Sequence, residues 1–383
     1  MGAFPPAAVD SIDWSNVKDS KVYEVNGHIE STYSKADGKW SPLKFVASPM
    51  MQIHGMAPAI NYGQQALEGL KAFRMPGEPG SIAIFRPDRN AARFQHSAEV
   101  LAMPAVSTDM FLKACRAAVA LNAEFVPPYG SSWAMYLRPQ LYGSSPHLGL
   151  TAPDQYTFCV FVVPTGMHLG TESVKALILD DFDRAAPRGH GHAKVGGNYA
   201  PVLRWSDQAR SEGFGITLHL DSTRHEEVDE FSMCAFVGII SGEETTVVVP
   251  DSPNVIDSVM SNSVQEVVRS YGWTVEKRVI KYTELPAFSE VLGTGTAITL
   301  IPIRSIMRRK TRLLSAGPRV HYDSDANAET VTFLSEEDQS GGPIYKQLFG
   351  QLRALQTGDA VDTFGWRFTV NEQDKDLDEV QAL

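Results

Sequence analysis

The sequence has few cysteines and no surplus of positive charge, and each shortage excludes a class of protein. Only Cys115, Cys159 and Cys234 occur among 383 residues, so neither a disulfide framework nor a Cys-x-x-Cys metal site is possible. Asp and Glu number 45 against 34 Lys and Arg, which gives a net charge of −11. A nucleic-acid-binding protein needs a basic surface to meet phosphate charge. We therefore expect reduced thiols and no nucleic-acid partner.

Long apolar runs and a targeting segment are also missing. The longest apolar stretches, such as residues 158–163, are far shorter than the ~20 residues that span a bilayer. The N-terminus carries Asp10 and Asp13 and lacks the basic start and apolar run of a secretory signal. The sequence therefore predicts a cytoplasmic protein without a membrane partner.

Several catalytic motifs are absent. The chain has no G-x-x-x-x-G-K-[ST] loop, no G-x-G-x-x-G between a strand and a helix, no G-x-S-x-G and no H-E-x-x-H. His190 and His192 could chelate a metal, but metal sites need three or four convergent ligands. A loop role is favoured for this pair, and no metal is expected.

Hydrophobic periodicity predicts a mixture of helices and strands without a regular βαβ repeat. Apolar residues at helical spacing predict helices over 86–103, 108–123, 199–212, 261–271 and 341–358. Short apolar runs between turn residues predict strands that include 43–53, 133–139, 156–163 and 174–179. The irregular alternation indicates a mixed α/β (α+β) fold rather than a doubly wound sheet.

A change in composition marks the domain organisation. Residues 164–173 are rich in glycine and turn formers, so they are predicted to link a domain over 1–163 to one over 174–383. Within the first domain, residues 1–40 are polar and rich in turn residues, which indicates an arm or an edge structure.

Lys194 is the first candidate for covalent chemistry. It precedes Gly196 and Gly197, which allow close approach of a ligand, and a predicted helix follows. A partly desolvated lysine has a depressed pKa and can form a Schiff base, and Tyr199 could reach the same ligand. The alternative is a surface lysine in a turn, as most lysines are.

Other segments place polar groups next to apolar runs, on one face of a strand or at a tight turn. Glu68 lies within an apolar run, and Glu230 precedes an apolar strand. Tyr136 and Arg138 share one face of a strand. The turn at 293–297 offers backbone N–H groups to an anion. Each feature alone also fits an ordinary structural role.

Taken in order, these segments resemble the branched-chain amino acid aminotransferases, which are fold type IV pyridoxal-phosphate enzymes. The matching segments are YGQQALEGLKAFR (62–74), FRPDRNAARFQHSA (85–98), YLRP (136–139), KVGGNY (194–199), the Glu230 segment, GTGTA (293–297) and PIRS (302–305). The resemblance implies a small N-terminal α/β domain and a larger C-terminal pseudobarrel domain, with pyridoxal 5'-phosphate as cofactor. It also implies a homodimer in which a loop of one subunit closes the site of the other.

The resemblance implies roles for individual residues toward the cofactor. Lys194 matches the Schiff-base lysine that then moves the substrate proton, Glu230 the carboxylate at the pyridine nitrogen, and Tyr199 the phenol at the ring oxygen. The residues that match phosphate-binding positions are Arg93, Val259, Met260 and Thr296.

The substrate positions follow in the same way. Tyr136, Arg138 and the Thr296–Ala297 turn match positions that orient the α-carboxylate, and Tyr62 and Leu67 match the side-chain pocket. The implied reaction is ping-pong transamination between an L-amino acid with an apolar, branched-chain-like side chain and 2-oxoglutarate.

Several positions depart from the family pattern, among them Leu67, Ala235, Met260 and Ser261. They predict a reshaped pocket and a specialised substrate. The alternatives are a lyase, a D-amino acid or R-amine transaminase on the same fold, and a non-catalytic relative. The Tyr136 and Arg138 pair favours the L-type transaminase, and the intact Lys194 argues against a non-catalytic protein.

Overall fold

A computed structural model describes residues 3–15, 22–77, 80–166, 172–309, 328–377 and 379–381. Up to residue 165 the elements are, in order, β1 (His28–Ser34), β2 (Lys39–Trp40), β3 (Lys44–Val46), α1 (Pro58–Tyr62), β4 (Gln65–Leu67), β5 (Leu70–Arg74), β6 (Ile82–Phe85), α2 (Pro87–Val100), α3 (Thr108–Ala120), β7 (Ala134–Gly143) and β8 (Gln155–Thr165). They continue as β9 (Val174–Ile178), α4 (Ala200–Ser211), β10 (Ile216–Leu220), β11 (Val228–Phe231), β12 (Ala235–Ile240), β13 (Thr246–Pro250), α5 (Val259–Ser270), β14 (Thr274–Arg278), β15 (Glu290–Gly295), β16 (Thr299–Arg309), β17 (Ala328–Thr332), α6 (Pro343–Thr357), β18 (Arg367–Val370) and β19 (Glu379–Gln381).

Contacts between described residues divide the chain into two compact units. The first lies within Met1–His168, Ala193–Gly197 and Arg353–Leu383, and the second within Leu169–His192 and Asn198–Leu352. The segment with Lys194 therefore groups with the N-terminal half. The domain bounds inferred from composition stay a prediction, and residues 167–171 of the predicted linker lie outside the described residues.

The first unit is built on a sheet with the strand order β18-β6-β5-β7-β8-β1-β3-β19, to which β2 and β4 add at β1 and β7. Its neighbouring strands are antiparallel except β3 and β19. Rings from α2, α3 and β8 meet in its core, where Phe94, Phe111 and Phe158 lie with ring centres 5.4–6.2 Å apart. This packing holds α2, which carries Arg93, against the sheet.

The expectation of an arm or edge structure over residues 1–40 is wrong for β1, which lies between β8 and β3 inside the sheet. The strand is polar, yet His28 and Ser31 are fully buried. The Ser31 hydroxyl donates to the carbonyl oxygen of Ser41 at 2.7 Å, and the two ring nitrogens of His28 lie 2.8 and 3.0 Å from oxygens of Ser48 and Glu30. Because these polar groups are paired within the fold, the strand needs no apolar signature.

The second unit has its own sheet, ordered β11-β10-β9-β16-β15-β12-β13-β14, with β17 beside β16. The strands β9 and β10, β9 and β16, and β13 and β14 run parallel, while the other pairs are antiparallel. Parallel and antiparallel pairs within one sheet agree with the predicted mixed α/β class. In the described part of the chain, no helix has the length and apolar character needed to cross a bilayer.

The predicted helices form where local signals placed them. Pro87 lies in the first turn of α2, and the Ser107 hydroxyl accepts the Met110 N–H at the start of α3. At α6 the buried Glu290 carboxylate accepts two N–H groups of the first turn, and Gly358 follows the last turn with φ of 88°. These caps fix the helix bounds close to those expected from periodicity.

Candidate active site

The main chain of Lys194 is fixed within the first unit. Its N–H donates to the Ser97 hydroxyl at 2.9 Å, and its carbonyl oxygen accepts the Leu67 N–H at 3.0 Å. The next residue, Val195, forms an antiparallel bridge with Ala66. The half-buried Lys194 therefore emerges from a backbone that is attached to both β4 and α2.

Glu68 lies fully buried beside this segment, and its carboxylate accepts four hydrogen bonds. Its two carboxylate oxygens accept hydrogen bonds from Arg93 Nε and Nη2 at 2.7 and 2.8 Å, a bidentate ion pair. Oε2 also accepts from Asn90 Nδ2 at 2.7 Å and from the Gly69 N–H at 3.1 Å. The carboxylate thereby holds the Arg93 guanidinium in a fixed plane.

The electrostatics of this cluster keep Glu68 ionised. Burial is the strongest influence on its pKa and acts to raise it, because water is excluded from the charged form. The charge and hydrogen bonds of Arg93, followed by the Lys194 charge and the Asn90 hydrogen bond, outweigh burial and hold the pKa below the usual range of a glutamate. Lys194 is thus close enough to Glu68 for its charge to lower the pKa of that carboxyl group.

Sequence reasoning named Arg93 on α2 but missed Asn90 and Ser97, which belong to the same cluster. Asn90, Arg93 and Ser97 are all buried, and their spacing of three and four residues places them on one helix face. That face also carries Phe94 and Ala98, so the polar residues interrupt an otherwise apolar stripe. Buried polar residues at helical spacing are a signal that could have indicated the cluster.

Tyr136 and Arg138 lie together on one face of β7, as predicted. Arg138 Nη2 donates to the Tyr136 hydroxyl at 3.2 Å, and the guanidinium lies 5.1 Å from the ring centre. The Tyr136 hydroxyl lies over Gly69, where a Cβ atom would come within 2.0 Å of it. Only glycine at position 69 leaves room for this tyrosine beside Glu68.

The two predicted pocket residues differ in exposure and in the segments that they contact. Leu67 ends β4, is half-buried, and is linked to the Lys194 carbonyl through its own N–H. Tyr62 ends α1, is 45% exposed, and donates its hydroxyl to the carbonyl oxygen of Leu148. Leu67 is therefore next to the lysine, whereas Tyr62 meets the loop at 144–153.

Glu230 lies in the second unit on β11 and is buried. Its Oε1 forms an ion pair with Arg184 Nη2 at 2.5 Å and accepts a hydrogen bond from the Ile256 N–H at 3.3 Å. Sequence reasoning missed Arg184, because nothing in the local pattern separates it from other charges in the loop at 184–198.

The predicted phosphate residues Val259 and Met260 are the first two residues of α5 and are buried. The preceding Ser258 caps the helix by accepting the Ser261 N–H at 3.2 Å. The start of α5 borders a cavity of about 180 Å³. The cavity is lined by polar and apolar residues that include Glu230, Ala235, Ser258 and Ser261. Two of the departures from the family pattern, Ala235 and Ser261, thus line one space beside Glu230.

The turn that carries Thr296 and Ala297 joins β15 to β16. The Thr294 hydroxyl donates across it to the carbonyl oxygen of Thr299 at 2.8 Å, and Thr299 itself adopts a left-handed φ of 61°. Left-handed backbone at a β-branched residue is strained and occurs where the fold imposes it. Thr296 and Ala297 are half-buried at this constrained turn.

Tyr199 is half-buried and immediately precedes α4. Six predicted residues belong to the first unit, and three of them, Leu67, Arg93 and Lys194, lie around Glu68 or the adjoining strand β4. The others of this unit are Tyr62, Tyr136 and Arg138. The second unit contains Tyr199, Glu230, Val259, Met260, Thr296 and Ala297. The role of each of these residues stays a prediction.

Comparison with known proteins adds a family and close relatives. The family model described as Amino-transferase class IV matches residues 65–306. The chain is 48% identical over 370 residues to Aminotransferase poxL of Penicillium oxalicum, with 96% of each protein covered. It is 42% identical over 367 residues to the branched-chain amino acid aminotransferase gloG of Glarea lozoyensis, with 95% of this chain and 97% of that protein covered.

Solved structures share the fold. The branched-chain amino acid aminotransferase of Escherichia coli superimposes with a TM-score of 0.70 at 21% identity, covering 91% of this chain and 100% of that one. The branched-chain amino acid aminotransferase of Thermobaculum terrenum in its PLP form gives a TM-score of 0.69 at 19% identity, with the same coverage. The predicted fold type IV architecture is thereby confirmed.

Proposed function

Because this chain belongs to the class IV aminotransferases, which use pyridoxal phosphate, we propose that it transfers the amino group of an apolar, branched-chain-like L-amino acid to 2-oxoglutarate. The reaction is ping-pong, since donor and acceptor use one site in turn. The observation that carries the proposal is Lys194, whose backbone is fixed at both ends beside the buried Glu68–Arg93 pair.

The chemical types of the side chains fit this cofactor. An aldehyde needs an amine, which Lys194 supplies, and a pyridine nitrogen needs a carboxylate, which the buried Glu230 supplies. A phosphate needs a guanidinium and backbone N–H groups, for which Arg93 and the start of α5 are suited. Two of the Arg93 nitrogens donate to Glu68, which orients the guanidinium that we assign to the phosphate.

Bound pyridoxal phosphate supplies an electron sink for the pair of electrons released when the substrate Cα loses its proton. The Lys194 amine takes that proton and later returns one, as general base and then general acid. Glu230 would face the ring nitrogen and favour its protonated form, and the Tyr199 hydroxyl would hydrogen-bond the ring oxygen. Thr296 adds its hydroxyl to the phosphate-binding groups.

The substrate carboxylate is assigned to the Tyr136 and Arg138 pair together with the turn at Thr296 and Ala297. A guanidinium that is already oriented by a phenol can bind a carboxylate with little loss of side-chain freedom. Leu67 and Tyr62 are assigned to the side-chain pocket. The relative gloG, whose name gives it as a branched-chain amino acid aminotransferase, supports an apolar substrate.

We expect the altered pocket to favour an unusual apolar side chain. The test measures kcat/KM with 2-oxoglutarate for L-leucine, L-isoleucine and L-valine, for longer apolar L-amino acids, and for D-alanine. The expected result is at least one longer apolar substrate preferred over the three standard ones by about tenfold, which is the range of methylene-scale pocket differences. The variant Leu67→Phe, which restores the residue usual in the family, should shift the preference back.

Equal kcat/KM values for the three standard substrates and lower values for all longer ones would contradict the specialised pocket. Turnover of D-alanine but of no L-amino acid would contradict the L-type assignment itself.

The protein is further proposed to be a homodimer. Met56, Ile60, Tyr62, Leu148 and Leu150 are exposed apolar or aromatic residues, and two hydrogen bonds join their segments, from Tyr62 to Leu148 and from the His147 N–H to Met56. Exposed apolar groups that cluster in this way are typical of a protein interface. Sedimentation should give a species of twice the 42.0 kDa chain mass, whereas a 42.0 kDa species would contradict the proposal.

A cytoplasmic location is also proposed, together with a role in amino-acid biosynthesis. All three cysteines are buried and free, and burial raises the pKa of each thiol. Such thiols suit a reducing compartment.

A further inference from the structure

Arg184 is a buried cation at a point where three segments of the second unit meet. Its side chain is 5% exposed, and its Nη2 atom forms an ion pair with one oxygen atom and donates hydrogen bonds to two others. These are Glu230 Oε1 at 2.5 Å, the Asn254 carbonyl oxygen at 2.7 Å and the Gly191 carbonyl oxygen at 3.3 Å.

Each of the three oxygen atoms belongs to a segment that carries or leads to a proposed site residue. Glu230 is assigned to the ring nitrogen, the loop with Asn254 leads into α5, and the loop with Gly191 leads to Lys194. The last two segments are packed tightly, because a Cβ atom on Gly191 would lie 2.8 Å from the Asn254 carbonyl oxygen. A change at Arg184 is therefore transmitted to all three segments at once.

Two further titratable groups lie in the surroundings of Arg184. Burial, and then the charge of Arg184, lower the pKa of His219 to about 3, so this histidine adds no second positive charge. Asp229, next to Glu230 in sequence, accepts hydrogen bonds from Ser252 Oγ at 2.6 Å and Asn254 Nδ2 at 3.4 Å, and burial is the main influence that raises its pKa. The cation that pairs with Glu230 is therefore Arg184.

We propose that Arg184 is a positioning residue for catalysis, which holds the Glu230 carboxylate in place for the cofactor ring and ties it to the loops before Lys194 and α5. This inference rests on the proposed function, in which Glu230 serves the ring nitrogen. It makes Arg184 act through Glu230, and it predicts that the two side chains contribute to cofactor binding as one unit.

The experiment compares wild type, Arg184→Gln, Glu230→Gln, the double variant and Arg184→Lys as holoenzymes. For each, the dissociation constant of pyridoxal phosphate, the absorbance band of the bound cofactor and the melting temperature are measured. The control is Arg308→Gln, because Arg308 makes a similar pair in the same unit, with Asp180 at 2.7 and 2.8 Å and the His225 carbonyl oxygen at 3.0 Å.

Arg184→Gln and Glu230→Gln should each weaken cofactor binding about tenfold or more, as expected when a buried ion pair loses one partner. Both should shift the absorbance band in the same direction, and the double variant should add little to either single change. Arg184→Lys, which keeps the charge, should recover part of the affinity. Arg308→Gln should lower the melting temperature but leave the affinity and the band unchanged.

The inference is overturned if Arg184→Gln resembles Arg308→Gln in affinity and absorbance while Glu230→Gln alters both. If Glu230→Gln also leaves both unchanged, the assignment of Glu230 fails and the role of Arg184 fails with it. Should Arg184→Gln not fold, Arg184→Lys decides the question, because wild-type affinity and absorbance in that variant would show that the contacts of the guanidinium are not needed.

Discussion

Replacing Lys194 with methionine is expected to lower kcat for transamination by about 10⁴-fold, because the group that moves the substrate proton is removed. The backbone contacts of this residue should survive, since they use its N–H and carbonyl groups rather than its side chain. The variant should therefore fold and still bind the cofactor without a covalent link. Borohydride reduction followed by peptide mass analysis measures that link directly.

The matched control is Lys113→Met, which removes an exposed lysine of α3 in the same unit. It should keep full activity and covalent cofactor. Reduced cofactor attached to another lysine in the wild-type protein, or activity within tenfold of wild type in Lys194→Met, would contradict the role given to Lys194.

Glu68→Gln is expected to cause the largest loss of stability. The change leaves the buried Arg93 guanidinium without its counter-charge, and removing one partner of a buried ion pair costs about 3–5 kcal/mol. Urea unfolding of the two proteins gives the difference in free energy. The control is Glu226→Gln, which breaks an exposed pair of the same length, 2.7 Å to Lys281, and should cost far less.

The pH dependence of this difference follows from the depressed pKa of Glu68. Its pKa is lower in the folded protein than the ordinary value of 4.5, so ionised Glu68 stabilises the fold fully above that pH. The advantage of wild type over Glu68→Gln should shrink as the pH falls from 4.5 through the folded pKa. A difference that is small at pH 7, or that grows in acid, would contradict the ion-pair account.

The sequence was informative where a signal is local. The helices α2, α3, α4, α5 and α6 begin and end within a few residues of the predicted bounds, because periodicity, Pro87 and Gly358 act over one or two turns. The strand β1 was not predicted because its buried residues His28 and Ser31 are polar. Their hydrogen-bond partners, Ser48 and Ser41, lie 20 and 10 residues further along the chain.

The candidate site shows the same limit. The ordered motifs singled out Lys194, Arg93 and Glu230, but not the partners that hold them. Arg93 is 25 residues from Glu68, and Arg184 is 46 residues from Glu230, so neither pairing can be read from local spacing. Long-range ion pairs depend on the tertiary fold, and this is where sequence reasoning stopped.

The departures from the family pattern gain meaning from the fold. Ala235 and Ser261 come from β12 and α5, yet both line the cavity of about 180 Å³ beside Glu230. The two departures therefore share one space, and we expect their effects to be coupled. Their effect on cofactor or substrate could not be inferred from either position alone.

The most direct test of the central claim is a half-reaction with the holoenzyme and L-leucine in the absence of any 2-oxo acid. The account predicts that the absorbance band of the bound cofactor bleaches, that one equivalent of 2-oxoisocaproate appears per site, and that 2-oxoglutarate restores the band and yields L-glutamate. A band that is present but unchanged by L-leucine and by every other L-amino acid would contradict the claim that this chain is an L-amino acid aminotransferase.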